Sequence, residues 1–237
     1  MKKWLIFAIL IIVLAAVFNV MQNRFTTMDT AARWQTPLSG KVIVLDAGHG
    51  GVDAGASSRS GVMEKEVALN TTLMLRDYLQ EAGALVLLTR EGDYDLAGTD
   101  VRGYSKRKTE DLYKRAEIVN ESGADLYVSM HLNAIPGEQW SGAQTFYHSE
   151  VPLNEHIAFF IQEELKNSLE NTTRTAKPID NIFILEQADI PGALVEIGFL
   201  SNPGEAANLG DRAYQDKVAV SIYRGLLRHF SGEKLPE

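Results

Sequence analysis

The chain has 237 residues, 45% of them hydrophobic and 23% charged, enough for one substantial core and short for two. Its net charge of −8 speaks against a nucleic-acid partner, and KRK at 106–108 is too short to form a strong basic patch and reads as a solvated face. With no cysteine, the fold has no disulfide to rely on, and any metal must be held by nitrogen and oxygen ligands.

MKK followed by WLIFAILIIVLAAVF has the positive start and uncharged apolar run of an export signal. No convincing small-residue cleavage site follows. Residues 1–21 are therefore expected to be a signal anchor or signal peptide, with Lys2 and Lys3 inside and the remainder exported. Residues 22–40 read as a linker, 41–230 as the folded catalytic domain and 231–237 as a tail.

KVIVLDAG, 41–48, is a continuous apolar run ending in glycine, as a strand buried on both faces would be. Over 66–83, Ala68, Thr72, Leu75, Leu79 and Ala82 recur at helical spacing, and Gly83 offers the stop. ALVLLTR, 84–90, is the next strand, and the helix between the two strands permits parallel pairing. Residues 91–108 read as a long polar loop. Thr109, Glu110 and Asp111 then look like a cap and acidic first turn of a helix ending near Gly123. Strands are expected at 124–131 and 143–149, a helix at 154–169, a short strand at 181–185, a strand at 193–200 running into an exit loop, and a final helix at about 211–229. This alternation predicts an α/β fold: a three-layer domain with a mostly parallel central sheet flanked by helices.

Polar residues gather where those strands end. His49 follows the first, His131 and Asn133 follow the third, and Glu196 interrupts an apolar run between Val195 and Ile197. Strand ends of an open α/β sheet converge on one edge, so these residues can meet although far apart in sequence. Two histidines and a carboxylate are a zinc-type ligand set. Glu64 and Glu66 both qualify as the carboxylate, and Glu64 reads equally as a first-turn acid favoured by the helix dipole. A carboxylate at position 196 is unfavourable unless exposed at a sheet edge, bound to a metal, used as a base, or paired, with Arg90 and Arg115 as available partners. Asp46 either orients a ligand from behind or caps the turn. Asn133 either positions substrate or supports His131.

IVLDAGHGGVDAGA at 43–56, GVMEKEVALN at 61–70, LYKRAEIVN at 112–120, SMHLNA at 129–134 and VEIGFLSNPGE at 195–205 occur in order. Together they resemble the zinc-dependent N-acetylmuramoyl-L-alanine amidases of bacterial cell walls over about 41–230. The resemblance implies Zn²⁺ held by His49, Glu64 and His131, with Glu196 as the catalytic glutamate, and so favours Glu64 over Glu66. It implies hydrolysis of the amide between N-acetylmuramic acid and L-alanine in peptidoglycan. It is narrowest to the germination-specific amidases of endospore formers, which implies a role in muramic-lactam formation in the spore cortex. The expected location is extracytoplasmic, anchored to the membrane or secreted, including the intermembrane space of the developing spore. Some relatives carry an inhibitory helix over the zinc, and the short segment 133–142 argues against one here. A protein activator, known for relatives, has no legible motif. The competing readings are a zinc peptidase acting on the stem peptide and a non-catalytic, membrane-associated wall-binding protein.

Overall fold

The computed structural model describes residues 3–4, 11–19 and 36–236. Residues 11–19 are helical, with Ile11, Ile12, Leu14 and Phe18 exposed. Among the described residues, no helix is long and apolar enough to cross a membrane. The expected N-terminal anchor and linker fall largely outside the described residues.

A second compact unit covers Pro37–Glu237. It begins before Lys41 because Leu38 is fully buried and donates its N–H to the Ala82 carbonyl at 2.9 Å. Six strands form one sheet in the order β2-β1-β3-β6-β4-β5. They are β1 (Val42–Ala47), β2 (Leu85–Leu88), β3 (Leu126–Asn133), β4 (Gln144–Tyr147), β5 (Lys177–Pro178) and β6 (Gly192–Phe199). All neighbours are parallel except β4 and β6, so the sheet is mostly parallel as expected.

The helices are α1 (Glu64–Glu81), α2 (Tyr104–Glu121), α3 (Pro152–Leu169), α4 (Phe183–Gln187), α5 (Pro203–Leu209) and α6 (Arg212–Phe230). Helices α1, α3 and α6 cover one face, where Leu75, Ile161 and Ile222 join Leu45, Val128 and Val195 in the main core. Helices α2 and α4 cover the other face through Val119, Ile184 and Leu185 against Val44, Tyr127 and Leu194. Alternation along each strand separates these two sets.

Gly83 stops α1 as expected. It takes φ +93° and donates to the Gln80 carbonyl, while Ala84 donates to that of Leu79. Three local expectations need correction. Helix α2 starts at Tyr104, with Gly103 at its cap, and not at Thr109. Arg107 and Lys108 of the supposedly solvated run turn instead to Asp95 and Asp53. The apolar run at 181–185 enters helix α4 and is not a strand. The exit loop after β6 contains helix α5, capped by Asn202 on the N–H groups of Gly204 and Glu205 and opened by Pro203. Residues 134–143, between β3 and β4, hold turns and bends and no helix.

Strand order reverses at β1: the chain pairs β2 on one side of it and β3 on the other. Such a reversal leaves a crevice at the carboxyl ends of the two central strands, the usual place for a site in this class.

Candidate metal centre

His49 and His131 lie at that crevice, the first just past β1 and the second near the end of β3. Their rings meet edge to face with centroids 5.0 Å apart. Glu64, the first residue of α1, is buried, and its Oε1 lies 3.1 Å from His49 Nε2 and 3.0 Å from His131 Nδ1. One ligand atom from each of these three residues falls within 4.8 Å of the others. Glu66 is exposed and is not part of the cluster.

The backbone is shaped around these side chains. His49 has φ +62°, a left-handed conformation unusual for a non-glycine residue and concentrated at functional sites. A Cβ on Gly48 would lie 2.4 Å from the His131 ring, so glycine is required beside it. A Cβ on Gly55 would lie 2.6 Å from Glu64 Oε2. The pairing of β3 with β6 shifts register between His131 and Asn133, and the Leu132 N–H there donates to Glu64 Oε1 at 2.9 Å. The Ala56 N–H donates to Glu64 Oε2 at 2.8 Å. Burial pushes the Glu64 carboxyl up in pKa, but these histidines reverse the effect and hold it well below the usual range. Burial likewise disfavours charge on His131, and the adjacent Glu64 outweighs it, so its pKa is raised.

Asp53, absent from the sequence reading as a site residue, orients His49. Its Oδ2 lies 2.9 Å from His49 Nδ1. The carboxylate also accepts from the Gly55 N–H, the Tyr104 hydroxyl and Lys108 Nζ. With Nδ1–H donated to Asp53, His49 keeps the Nε2 lone pair for the cluster. The available signal was its place four residues after His49 in HGGVD.

Asp46 neither caps the turn nor contacts a histidine ring. It is buried beneath the site and accepts from Thr89 Oγ1, Ser129 Oγ and Arg115 Nη1 at 2.7, 2.6 and 2.7 Å. Arg115 also binds Asp111 and donates to the carbonyls of Ala47 and His49. Arg90 donates to the carbonyls of Ala47, Gly48, Lys65 and Gly92. Both arginines are therefore committed to the floor of the His49 turn, and neither pairs with Glu196.

Glu196 is the Cα partner of His131 across β3 and β6, so both side chains leave the same face. Its Oε2 is buried without a hydrogen-bond partner among the described residues. Burial pushes its carboxyl up to about 7 against the opposing effect of His131. Asn133 joins the frame through its carbonyl, which accepts from the Leu200 N–H at 2.8 Å.

Two histidines and a carboxylate converge as a candidate metal-binding cluster, and a second carboxylate stands unpaired on the strand beside His131. Residues 43–228, more than three quarters of the chain, match the family described as N-acetylmuramoyl-L-alanine amidase. The chain belongs to that amidase family. The germination-specific N-acetylmuramoyl-L-alanine amidase of Bacillus subtilis is 52% identical over 229 residues, covering 97% of this chain and 95% of that protein. The CwlD amidase of Clostridioides difficile, solved in complex with the GerS lipoprotein, is 40% identical with a TM-score of 0.79, covering 81% of this chain and 100% of that one. The catalytic domain of the amidase CwlV from Bacillus (Paenibacillus) polymyxa is 28% identical with a TM-score of 0.70, covering 82% and 99%. The enzyme is thus an N-acetylmuramoyl-L-alanine amidase, related to a germination-specific amidase.

Proposed function

We propose that the amidase works with one Zn²⁺ held by His49, Glu64 and His131 and with Glu196 as its catalytic carboxylate. The carrying observation is the convergence of three ligand atoms beside the unpartnered Glu196 Oε2. The residues fit the ion: a tetrahedral site with bonds of about 2.0–2.2 Å separates its ligand atoms by about 3.3 Å, near the 3.1 and 3.0 Å of Glu64 Oε1 from His49 Nε2 and His131 Nδ1. A bound zinc polarises the amide carbonyl and makes water a nucleophile at neutral pH.

The chain's own residues supply the remaining steps. Asp53 fixes the His49 tautomer, and the Leu132 and Ala56 amides fix Glu64. Glu196 takes a proton from the attacking water on a carboxylate oxygen and returns it to the alanine nitrogen as the carbon–nitrogen bond breaks.

The biological setting is proposed on the likeness to the germination-specific relative: muramic-lactam formation in spore cortex, outside the cytoplasm, with the N-terminal apolar segment holding the enzyme at a membrane. A regulatory protein partner is proposed because the Clostridioides difficile relative was solved with a lipoprotein. Digestion of purified peptidoglycan, with zinc measured on the same sample, tests the chemistry. New L-alanine amino groups with an intact glycan are expected, lost on chelation and restored by Zn²⁺. Cleavage inside the stem peptide, or activity that survives verified metal removal, rejects it.

A further inference from the structure

Beyond the metal cluster, the sheet face that carries Glu196 continues to β4. Gln144 is the Cα partner of Glu196 in the antiparallel β4–β6 pair, so the two side chains stand next to each other on one face. The Gln144 amide is fixed from both ends. Its Nε2 donates to the Thr175 carbonyl at 3.1 Å, and its Oε1 accepts from Arg174 Nη1 at 3.2 Å. Arg174 is aimed by two further contacts. Its Nε donates to the Ser141 carbonyl at 3.2 Å, and its guanidinium lies over the Phe199 ring, 5.2 Å from the centroid.

This arginine forms no ion pair among the described residues. Glu205, behind it, is occupied by the Gly142 and Phe199 amides and by Asn171. Arg174 opens instead onto a polar hollow of about 570 Å³, whose walls include Ser141, Asn171, Thr172 and Glu170. Nε and Nη1 are held by neutral acceptors and Nη2 has no partner among the described residues, so a carboxylate arriving from outside can be met there.

We propose that Arg174, aimed by Gln144 beside Glu196, binds a carboxylate on the peptide side of the scissile amide. This rests on the amidase reading, which puts that amide next to Glu196. Adjacent strands are about 4.8 Å apart, and the guanidinium lies one side chain further. An extended peptide advances about 3.5 Å per residue. A carboxylate on the second residue of the stem peptide therefore reaches Arg174 while the alanine nitrogen lies at Glu196. Arg174 is a specificity residue in this reading, and Gln144 is a positioning residue.

Two soluble muramoyl-peptides, identical except for a free carboxylate or a carboxamide on the second residue, test it with the full-length zinc-loaded enzyme. The wild type should favour the acid by about tenfold to a hundredfold in kcat/KM, as one charge-assisted pair supplies. Arg174→Gln should abolish that preference, chiefly through a higher KM on the acid substrate, with zinc content unchanged. If Arg174→Gln does not fold, Arg174→Lys replaces it, and its preference should fall below that of the wild type because lysine lacks the fork. Equal use of both substrates by the wild type overturns the inference alone. So does a variant that loses both substrates equally or keeps the full preference. Hydrolysis of neither substrate by the wild type overturns the amidase reading and this inference with it.

Discussion

Arg115→Met removes the charge at the centre of the buried network beneath the His49 turn and keeps most of the volume. Arg115, Asp46 and Asp111 are 2%, 1% and 4% exposed. Arg115 Nη1 lies 2.7 Å from Asp46 Oδ1, and Nε lies 2.7 Å from Asp111 Oδ2. Burial alone raises the Asp46 pKa, but Arg115, Ser129, His131 and Thr89 together outweigh it and hold the carboxyl at about 2. Measured against the ordinary 3.8, that depression corresponds to about 2.5 kcal/mol of stability at neutral pH. Breaking a buried ion pair by removing one partner costs about 3–5 kcal/mol, which brackets the same magnitude from above.

For a domain of this size each kcal/mol moves Tm by about 2–4 °C, so a loss of about 5–20 °C is expected from about 2.5–5 kcal/mol. Urea unfolding of the metal-free protein at neutral pH measures the free energy without the contribution of ion binding. Because the Asp46 pKa is depressed, its stabilisation is present above pH 3.8 and disappears as pH falls through about 2. The variant should therefore lose less stability than the wild type across that acid window. Asp46→Asn combined with Arg115→Met should cost less than the sum of the single changes, since each removes the other's partner. A loss below about 1 kcal/mol for Arg115→Met, or strict additivity, would refute the compensation argued here.

Glu196→Gln should retain zinc and lower turnover by about 10²–10⁴-fold, the range for a general acid–base group, and near-wild-type turnover removes Glu196 from the chemistry. In the metal-free protein the same change has the opposite effect on stability. The Glu196 pKa is raised from 4.5 to about 7, so the folded state holds its proton longer and wild-type stability declines as pH rises through that interval. Glu196→Gln should flatten the decline, and an unchanged pH profile of unfolding contradicts this account of its burial. Asp53→Asn should weaken zinc binding by about 10–100-fold by releasing His49 Nδ1, as read by competition with a chromogenic chelator; unchanged affinity denies Asp53 that role. His131→Ala should reduce zinc content after dialysis, and full occupancy with normal affinity excludes His131 as a ligand.

The central strands were legible because those buried on both faces read as unbroken apolar runs, as IVL and LYVSM do. His49, His131 and Glu196 stood out by their place at or within those runs. What escaped was decided by contacts between distant residues. Helix α2 starts five residues before Thr109, as Arg107 and Lys108 in its first turns pair with Asp95 and Asp53. No local capping pattern encodes those pairings. The run at 181–185 is too short for periodicity to separate strand from helix. Helix α5 did have a local signal, Asn202-Pro203 followed by Glu205, hidden by reading the segment as the exit of a strand. The partners of Arg90 and Arg115 were not legible, because backbone carbonyls of the His49 turn compete for them as well as carboxylates do.

Asp46 and Glu196 show how one sheet face gives two carboxylates different environments. Asp46 pairs in register with Ser129, and Glu196 with His131, two residues further along β3 on the same face. Both are taken out of water by neighbouring strands. Asp46 receives a guanidinium and two hydroxyl donors and stays ionised at about 2. Glu196 receives no donor at Oε2 and rises to about 7. Two carboxyls driven apart in this way suit different tasks, and in the proposed mechanism Asp46 holds the structure while Glu196 exchanges protons. The strand run Val195-Glu196-Ile197 holds the second carboxyl in place. Val195 and Ile197 are anchored in the opposite core, so Glu196 cannot rotate towards solvent without withdrawing both from it. The fold thus accepts an unpaired acid at one position, and the compensated Arg115 network two residues back along β3 supplies the rigidity that keeps it aimed at the crevice.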